Sequence, residues 1–367
     1  MILKDDLLYQ IALTLVHNIG DVQAKALINH FGDANSVFKA KKKELENVEG
    51  VRSTAISSIK EFENFKRAEE EISFIEKYKI KPLFLTDKDY PKKLLNCYDS
   101  PTLLYYRGNA DLNTSKVLGI VGTRSCSAYG KAMCEKLISE LEDENILVVS
   151  GLALGIDSIA HKGALKNNIK TVGVLAHGLD HIYPPENKSL AKQMTNHGGV
   201  ITEFLSNTKR EKGYFPKRNR IVAGMCDAVV VMESSIKGGS LITAELANGY
   251  NKDVFAFPGK ANDSKSEGCN FLIKTNKAAL VTSAEDVLES MGWKEQKKKI
   301  KKQRELFIEF SNEEKIIFDI LNQQENIHID ELYLKSNLSS STCAAALLTL
   351  EMQGVVSSLP GKLYKLA

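Results

Sequence analysis

Two periodicities of apolar positions divide the chain. Over residues 1–80 they recur every three or four residues: Leu13, Val16 and Ile19 lie before Gly20, and Val22, Leu27, Ile28 and Phe31 after it. That spacing predicts helices that bury one face, joined by a glycine turn. A second, weaker copy surrounds Gly50, with Leu45 and Val48 before it and Val51, Ala55 and Ile56 after. From about residue 100 the pattern changes to short continuous apolar runs at 117–122, 146–150, 171–175, 199–203, 228–232 and 254–257. Helical patterns alternate with them at 129–143, from 157, at 187–197, 217–226 and 240–250. Uninterrupted apolar strands joined by crossover helices predict a parallel sheet covered on both faces.

The predicted organisation is therefore a helical domain at 1–80, a Rossmann-like α/β domain at 81–292, a basic linker at 293–310 and a small domain at 311–367. In the last, three helical patterns are followed by a hairpin with a Pro360-Gly361 turn, a winged-helix-like order. The Ser339–Thr342 run caps its third helix, with Cys343, Ala346, Leu347, Leu350 and Met352 on the apolar face. That helix carries almost no cations, so a protein contact is as good an expectation as groove reading. The net charge of +3 hides a local concentration: residues 294–304 hold seven cations and one acid. Taking that +6 from +3 leaves about −3 for the remaining chain, so any anion binding has to come from a focused patch. No apolar run approaches the roughly 18 residues needed to span a bilayer, and Asp5 and Asp6 interrupt the amino terminus where a secretion signal needs an apolar core. The expectation is a cytoplasmic protein without a membrane partner. Six cysteines without a C-x-x-C pair suit reduced, buried thiols. His177 and His181 have metal-like spacing but sit among Gly178, Pro184 and Pro185, so no metal site is expected.

Candidate chemistry lies where predicted strands end. Gly122-Thr123-Arg124-Ser125 and Ser127 follow the first strand of the series, and Lys217-Arg218-Asn219-Arg220 opens a helix after Phe215-Pro216. Gly238-Gly239-Ser240 opens the next one. Glycine turns and helix starts present free backbone N–H groups, and cations gathered there favour a polyphosphate ligand. Gly122-Thr123-Arg124 is not a dinucleotide fingerprint, because Gly119 falls inside the strand and no acid takes a ribose, so no cofactor is expected. In Ser150-Gly151-Leu152-Ala153-x-Gly155-Ile156-Asp157, Asp157 is expected to cap its helix and His161 to be structural. Few aromatic residues interleave with the cations, with Phe215 and Tyr129 as the stacking candidates.

Taken together, Gly-Thr-Arg-x-x-Ser-x-Tyr-Gly, Ser-Gly-Leu-Ala-x-Gly-Ile-Asp-x-x-Ala-His, Gly-Leu-Asp-x-x-Tyr-Pro, Phe-Pro-x-Arg-Asn-Arg-Ile-Val-Ala-Gly, Gly-Gly-Ser-Leu-Ile-Thr-Ala and Phe-Ala-Phe-Pro-Gly resemble the DNA-processing protein A (DprA/Smf) family across residues 82–290. The helix, Ile-Gly turn and helix around Gly20 resemble a helix-hairpin-helix motif. The family resemblance implies a single-stranded DNA-binding protein of natural transformation, with no catalytic residues. Such a protein dimerises through its Rossmann-like domain, protects incoming strands and loads the RecA recombinase. It further implies Arg124 and Lys217 as leading phosphate contacts. Gly122, Thr123, Ser125, Ser127, Arg218, Asn219, Arg220 and Gly238 to Ser240 would lie around them, with Lys188 on the rim. The alternative resemblance is to lysine-decarboxylase-like nucleoside-monophosphate phosphoribohydrolases, with Glu245 as catalytic acid. Against it, Lys237, Leu241 and Ile242 replace the Pro, Gly and Thr of the Pro-Gly-Gly-x-Gly-Thr turn that would seat a ribose phosphate.

Overall fold

The computed structural model describes residues 4–209, 211–294, 310–324, 326–359 and 361–366. They fall into two units, Met1–Glu295 and Gln296–Ala367. The first holds a nine-stranded sheet: β1 (Lys81–Phe84), β2 (Leu103–Gly108), β3 (Lys116–Val121), β4 (Ile146–Ser150), β5 (Thr171–Val174), β6 (Gly198–Thr202), β7 (Ala228–Val231), β8 (Asp253–Ala256) and β9 (Ala279–Leu280). Their order is β1-β2-β6-β5-β4-β3-β7-β8-β9. The strands from β6 to β9 in that order pair in parallel, with Leu118 beside Val148 and Gly119 beside Val229. This is the expected Rossmann-like core.

Two antiparallel strands extend it. β1 pairs with β2 and β2 with β6, so Tyr106 lies opposite Ile201. Neither shows in the apolar pattern of the sequence, since Lys81-Pro82 opens one and Arg107-Gly108 ends the other, which blurs a short apolar run. The chain leaves β3 outward through β4, β5 and β6, then returns to the other side of β3 as β7. That reversal leaves a crevice beyond the carboxyl ends of β3 and β7, where open α/β sheets bind ligands.

The boundary expected at residue 80 does not divide two cores. Leu27, Ile28, Ile56 and Ile75 of the amino-terminal helices share one apolar cluster with Leu83, Leu104, Val121 and Ile221 of the α/β part. Polar ties cross the same seam. Glu71 is 1% exposed and accepts from Arg67 at 2.8 Å and from the Ser206 amide at 3.0 Å. Lys25 donates to the Leu95 and Cys97 carbonyls, and Thr102 N donates to Asp21 Oδ1 at 2.9 Å. Asp21 opens the helix after the Gly20 turn, so that hairpin turn is a joint to the α/β part through its first side chain.

In the second unit, helices Asn312–Leu321, Ile329–Ser336 and Ser340–Met352 pack Ile317, Leu332 and Leu350 against Val356. A three-stranded sheet of Ile327–His328, Leu363–Leu366 and Val356–Leu359 completes it, the winged-helix order expected. Ser339 caps the third helix through Thr342 N. Of the predicted linker, residues 295–309 lie outside the described residues. Trp293 and Lys294 belong to the first unit, where Lys294 pairs with Glu289 at 2.7 Å and also with Glu285. No described helix is long and apolar enough to cross a membrane.

Candidate functional site

A cavity of about 410 Å³ occupies the crevice beyond β3 and β7, lined by Gly122, Thr123, Arg124, Arg218, Asn219 and the Gly238–Ser240 turn, among others. Four helices begin around the crevice, Tyr214–Met225 among them, and the amino termini of the other three differ. The helix Ala128–Glu140 is closed by the protein itself: Glu233, 2% exposed, accepts from Ser127 N at 2.9 Å and from Ser127 Oγ at 3.2 Å. Ser127 Oγ in turn accepts from Gly130 N. A buried carboxylate thus takes the place a phosphate would need. The helix Ile156–Lys166 has no side-chain cap, but its first amide, Ile156 N, donates to Thr123 O at 3.2 Å, and Asp157 Oδ2 accepts from Ala153 N just ahead of the helix. Gly239–Gly249 also starts, at Gly238, with no side-chain cap. Leu241 N donates back to Gly238 O at 3.1 Å, whereas the Gly239 and Ser240 amides have no partner among the described residues, and both residues line the cavity.

The guanidinium of Arg124 stands at the mouth. It is exposed, makes no ion pair among the described residues and stacks over Phe215 at 5.1 Å from the ring centroid. Arg218 forms the floor, 6% exposed, with Nη1 donating to Val174 O at 2.5 Å and Nε without a partner. Burial pulls its pKa down and pushes the Asp157 carboxyl up, and the charge of each partly offsets the other's shift. Gly151 permits this pairing: a Cβ there would lie 2.1 Å from Arg218 Nη1 and 2.3 Å from Asp157 Oδ2. Asn219 Nδ2 donates to Gly239 O at 3.4 Å, linking the two helices that wall the cavity. Next to the mouth a slot of about 70 Å³ is lined by Leu152, Leu154, Tyr183, Pro184 and Phe215. The site combines one free cation, one buried cation, uncapped amides and an apolar slot. That set suits a phosphate with a flat apolar group attached.

Residues 81–292 match the family model for DNA recombination-mediator protein A, and residues 308–362 match the DprA winged helix domain. The chain belongs to the DNA recombination-mediator protein A family. Protein Smf of Synechocystis sp. is 33% identical over 97% of this chain and 98% of its own length. DNA processing protein DprA of Streptococcus pneumoniae is 46% identical over 56% of this chain and 72% of its own. The X-ray structure of DprA from Streptococcus pneumoniae aligns with a TM-score of 0.67 at 36% identity, covering 77% of this chain and 97% of that one. DprA from Helicobacter pylori, solved for its single-stranded DNA binding mode, aligns with a TM-score of 0.53 at 30% identity over 58% and 95%.

Within this chain, the cations predicted to act together separate. Lys217 and Arg220 do not line the Arg124 cavity. Lys217 Nζ lies 3.0 Å from Glu203 Oε2 and over the Phe204 ring, in a different hollow with Thr14, Asp21 and Tyr214. The Arg220 side chain is 7% exposed and bonds Glu203 Oε2 at 2.6 Å, Asp21 Oδ2 at 3.0 Å and the Asp99 carbonyl. Consecutive helical residues point about 100° apart, so three cations in four positions cannot share one wall. Ser127 is occupied by Glu233, and Ser125, although exposed, is not in the cavity lining. Ser240 Oγ donates to Ser234 Oγ, leaving its amide rather than its hydroxyl for a ligand. Lys188 lines a separate hollow.

Tyr129 donates to the Pro258 carbonyl and is absent from the slot, where Tyr183 meets Phe215 at 6.3 Å between ring centroids. Tyr183 stood in the Gly-Leu-Asp-x-x-Tyr-Pro motif, but nothing local assigns it to this wall. Glu203 and Glu233 were missed too; each follows an apolar strand, a position where a buried acid gives no periodic signal. Glu245 is exposed, pairs with Lys277 at 3.1 Å and does not line the cavity, which removes the acid from the hydrolase alternative. His177 and His181 stack at 4.5 Å, and His177 accepts from Tyr183 N, which braces the loop. Among the described residues no group of three or more acids, histidines or cysteines could hold a metal.

Proposed function

We propose that the Arg124 cavity binds single-stranded DNA, holding one phosphate between Arg124 and the Gly239 and Ser240 amides while the adjoining base enters the Tyr183–Phe215 slot. The chain would act without catalysis as a DNA-processing protein of natural transformation. As a homodimer joined through the Rossmann-like unit, it would cover incoming strands and deliver them to the RecA recombinase. The carrying observation is that an unpaired guanidinium and a helix start whose first two amides have no internal partner meet in one cavity beside an apolar slot. The family's recombination-mediator description and the strand-binding relative from Helicobacter pylori support the same reading.

Binding through phosphates is salt-dependent, with a slope of about 0.7 per contact for single strands. Titrating an oligothymidine at increasing salt should therefore show Arg124→Ala losing affinity and about 0.7 of the slope. Lys217→Ala should change both less, since Glu203 already holds that ammonium. Wild-type affinity and slope in Arg124→Ala would place the strand elsewhere.

A further inference from the structure

Three exposed cations outside the Arg124 cavity converge on a hollow of about 700 Å³. Lys188 and Lys192 stand one turn apart on the helix Lys188–Met194, hence on one face. Arg107 faces them from β2, directly opposite Val200 of β6, which lines the same hollow. None of the three makes an ion pair among the described residues, and two lysines at this spacing repel each other. Leu179, Ile182 and Ala191 add apolar surface beneath them. Glu186 is the one carboxylate in the lining.

We propose that this hollow holds the continuation of the same single strand, with phosphates on Arg107, Lys188 and Lys192 and sugars or bases over the apolar floor. The inference rests on the single-strand reading of the Arg124 cavity. A free inorganic anion would use the cations and leave the floor uncovered. An acidic protein segment would match the charge, but continuity favours the strand. Tyr183 and Pro184 wall the slot beside Arg124, and Pro185, Glu186 and Lys188, next along the chain, wall this hollow. Five residue steps separate Tyr183 from Lys188, so their Cα atoms lie at most about 18 Å apart. At the 3.4 Å per nucleotide of a duplex strand, that distance is about five nucleotides. A strand leaving the slot over the Tyr183–Pro185 ridge therefore reaches the second hollow within a short single-strand footprint.

The test compares oligothymidines of about 5 and about 20 nucleotides by fluorescence anisotropy on the full-length protein. The variants are the double substitution Arg107→Glu with Lys192→Glu, a charge-matched control of Lys42→Glu with Lys43→Glu, and Arg124→Ala. Wild type gains affinity with length. The Arg107/Lys192 variant should lose about tenfold of that gain, and its salt slope on the long strand should fall by about 1.4, two contacts' worth. The control pair should keep both. Equal losses in the control, or an undiminished length gain in the Arg107/Lys192 variant, would overturn the inference. The second outcome, with wild-type urea stability, would leave the hollow to an acidic protein. Failure of the underlying reading looks different: Arg124→Ala would then bind both lengths like wild type.

Discussion

Arg220 separates holding the fold from holding a strand. Its guanidinium joins Glu203 at 2.6 Å and Asp21 at 3.0 Å, with the side chains of Arg220 and Glu203 only 7% and 6% exposed. Burial already pushes the Glu203 carboxyl up, and Arg220 and then Lys217 pull it back. In Arg220→Ala, Glu203 loses its principal counter-charge and avoids a buried charge by taking up a proton. At pH 7 that means protonation about 2.7 pH units above the ordinary glutamate value of about 4.3, a cost of about 4 kcal/mol. This agrees with the 3–5 kcal/mol typical of breaking a buried pair. At pH 5 the same step costs about 1 kcal/mol. A carboxylate whose folded pKa is raised makes its stability contribution below its unfolded value and loses it as pH rises. The deficit of the variant should therefore shrink from about 4 to about 1 kcal/mol between pH 7 and 5. Urea unfolding followed by Trp293 fluorescence measures this, since Trp293 is the sole tryptophan and packs against the α/β core. Folded Arg220→Ala should bind single strands with wild-type affinity. Wild-type stability with weakened strand binding would refute the reasoning and return Arg220 to the interface.

Gly151→Ala should cost about 1–3 kcal/mol through overpacking and weaken strand binding. Its Cβ meets Arg218 and Asp157, both anchored, by Val174 O and Ala153 N respectively. A thermal melt and a binding isotherm identical to wild type would show that this floor yields freely. His161 is fully buried between Thr171 Oγ1 and Gly151 O, and burial lowers its pKa to about 4. The unfolded chain then binds the extra proton first, so stability is complete above about pH 6.5 and falls as pH drops toward 4. The loss approaches about 3 kcal/mol. Urea midpoints across that range should fall more steeply for wild type than for His161→Gln, and parallel curves would exclude His161 as the source.

Much of the α/β part was legible because its strands are continuous apolar runs. A strand buried on both faces needs no partner pattern to be visible. The glycine turns were legible for a related reason, as tight turns between strand and helix restrict residue choice locally. β1 and β2 escaped because Lys81, Pro82 and Arg107 interrupt them, and because β1 joins the sheet only through β2, whose antiparallel pairing on β6 depends on residues nearly a hundred positions away. The packing across residue 80 was illegible for a similar reason: helical periodicity shows which face is buried and not what buries it, and here that is Leu83, Leu104 and Ile221.

At the site itself, sequence alone determined that cations and glycine turns gather where strands end, and the motifs there mark the family. Only the tertiary structure decided which cations are free. Arg220 takes acids 17 and 199 positions away, Glu203 and Asp21. Lys217 shares Glu203, Arg218 sinks beside Asp157, and Glu233 closes a helix start 106 positions upstream. A buried charge demands a counter-charge, and long-range packing alone brings that partner near. In the cavity, Arg124 and the Gly239 and Ser240 amides remain open to a ligand because the rest of the fold gives them no internal partner.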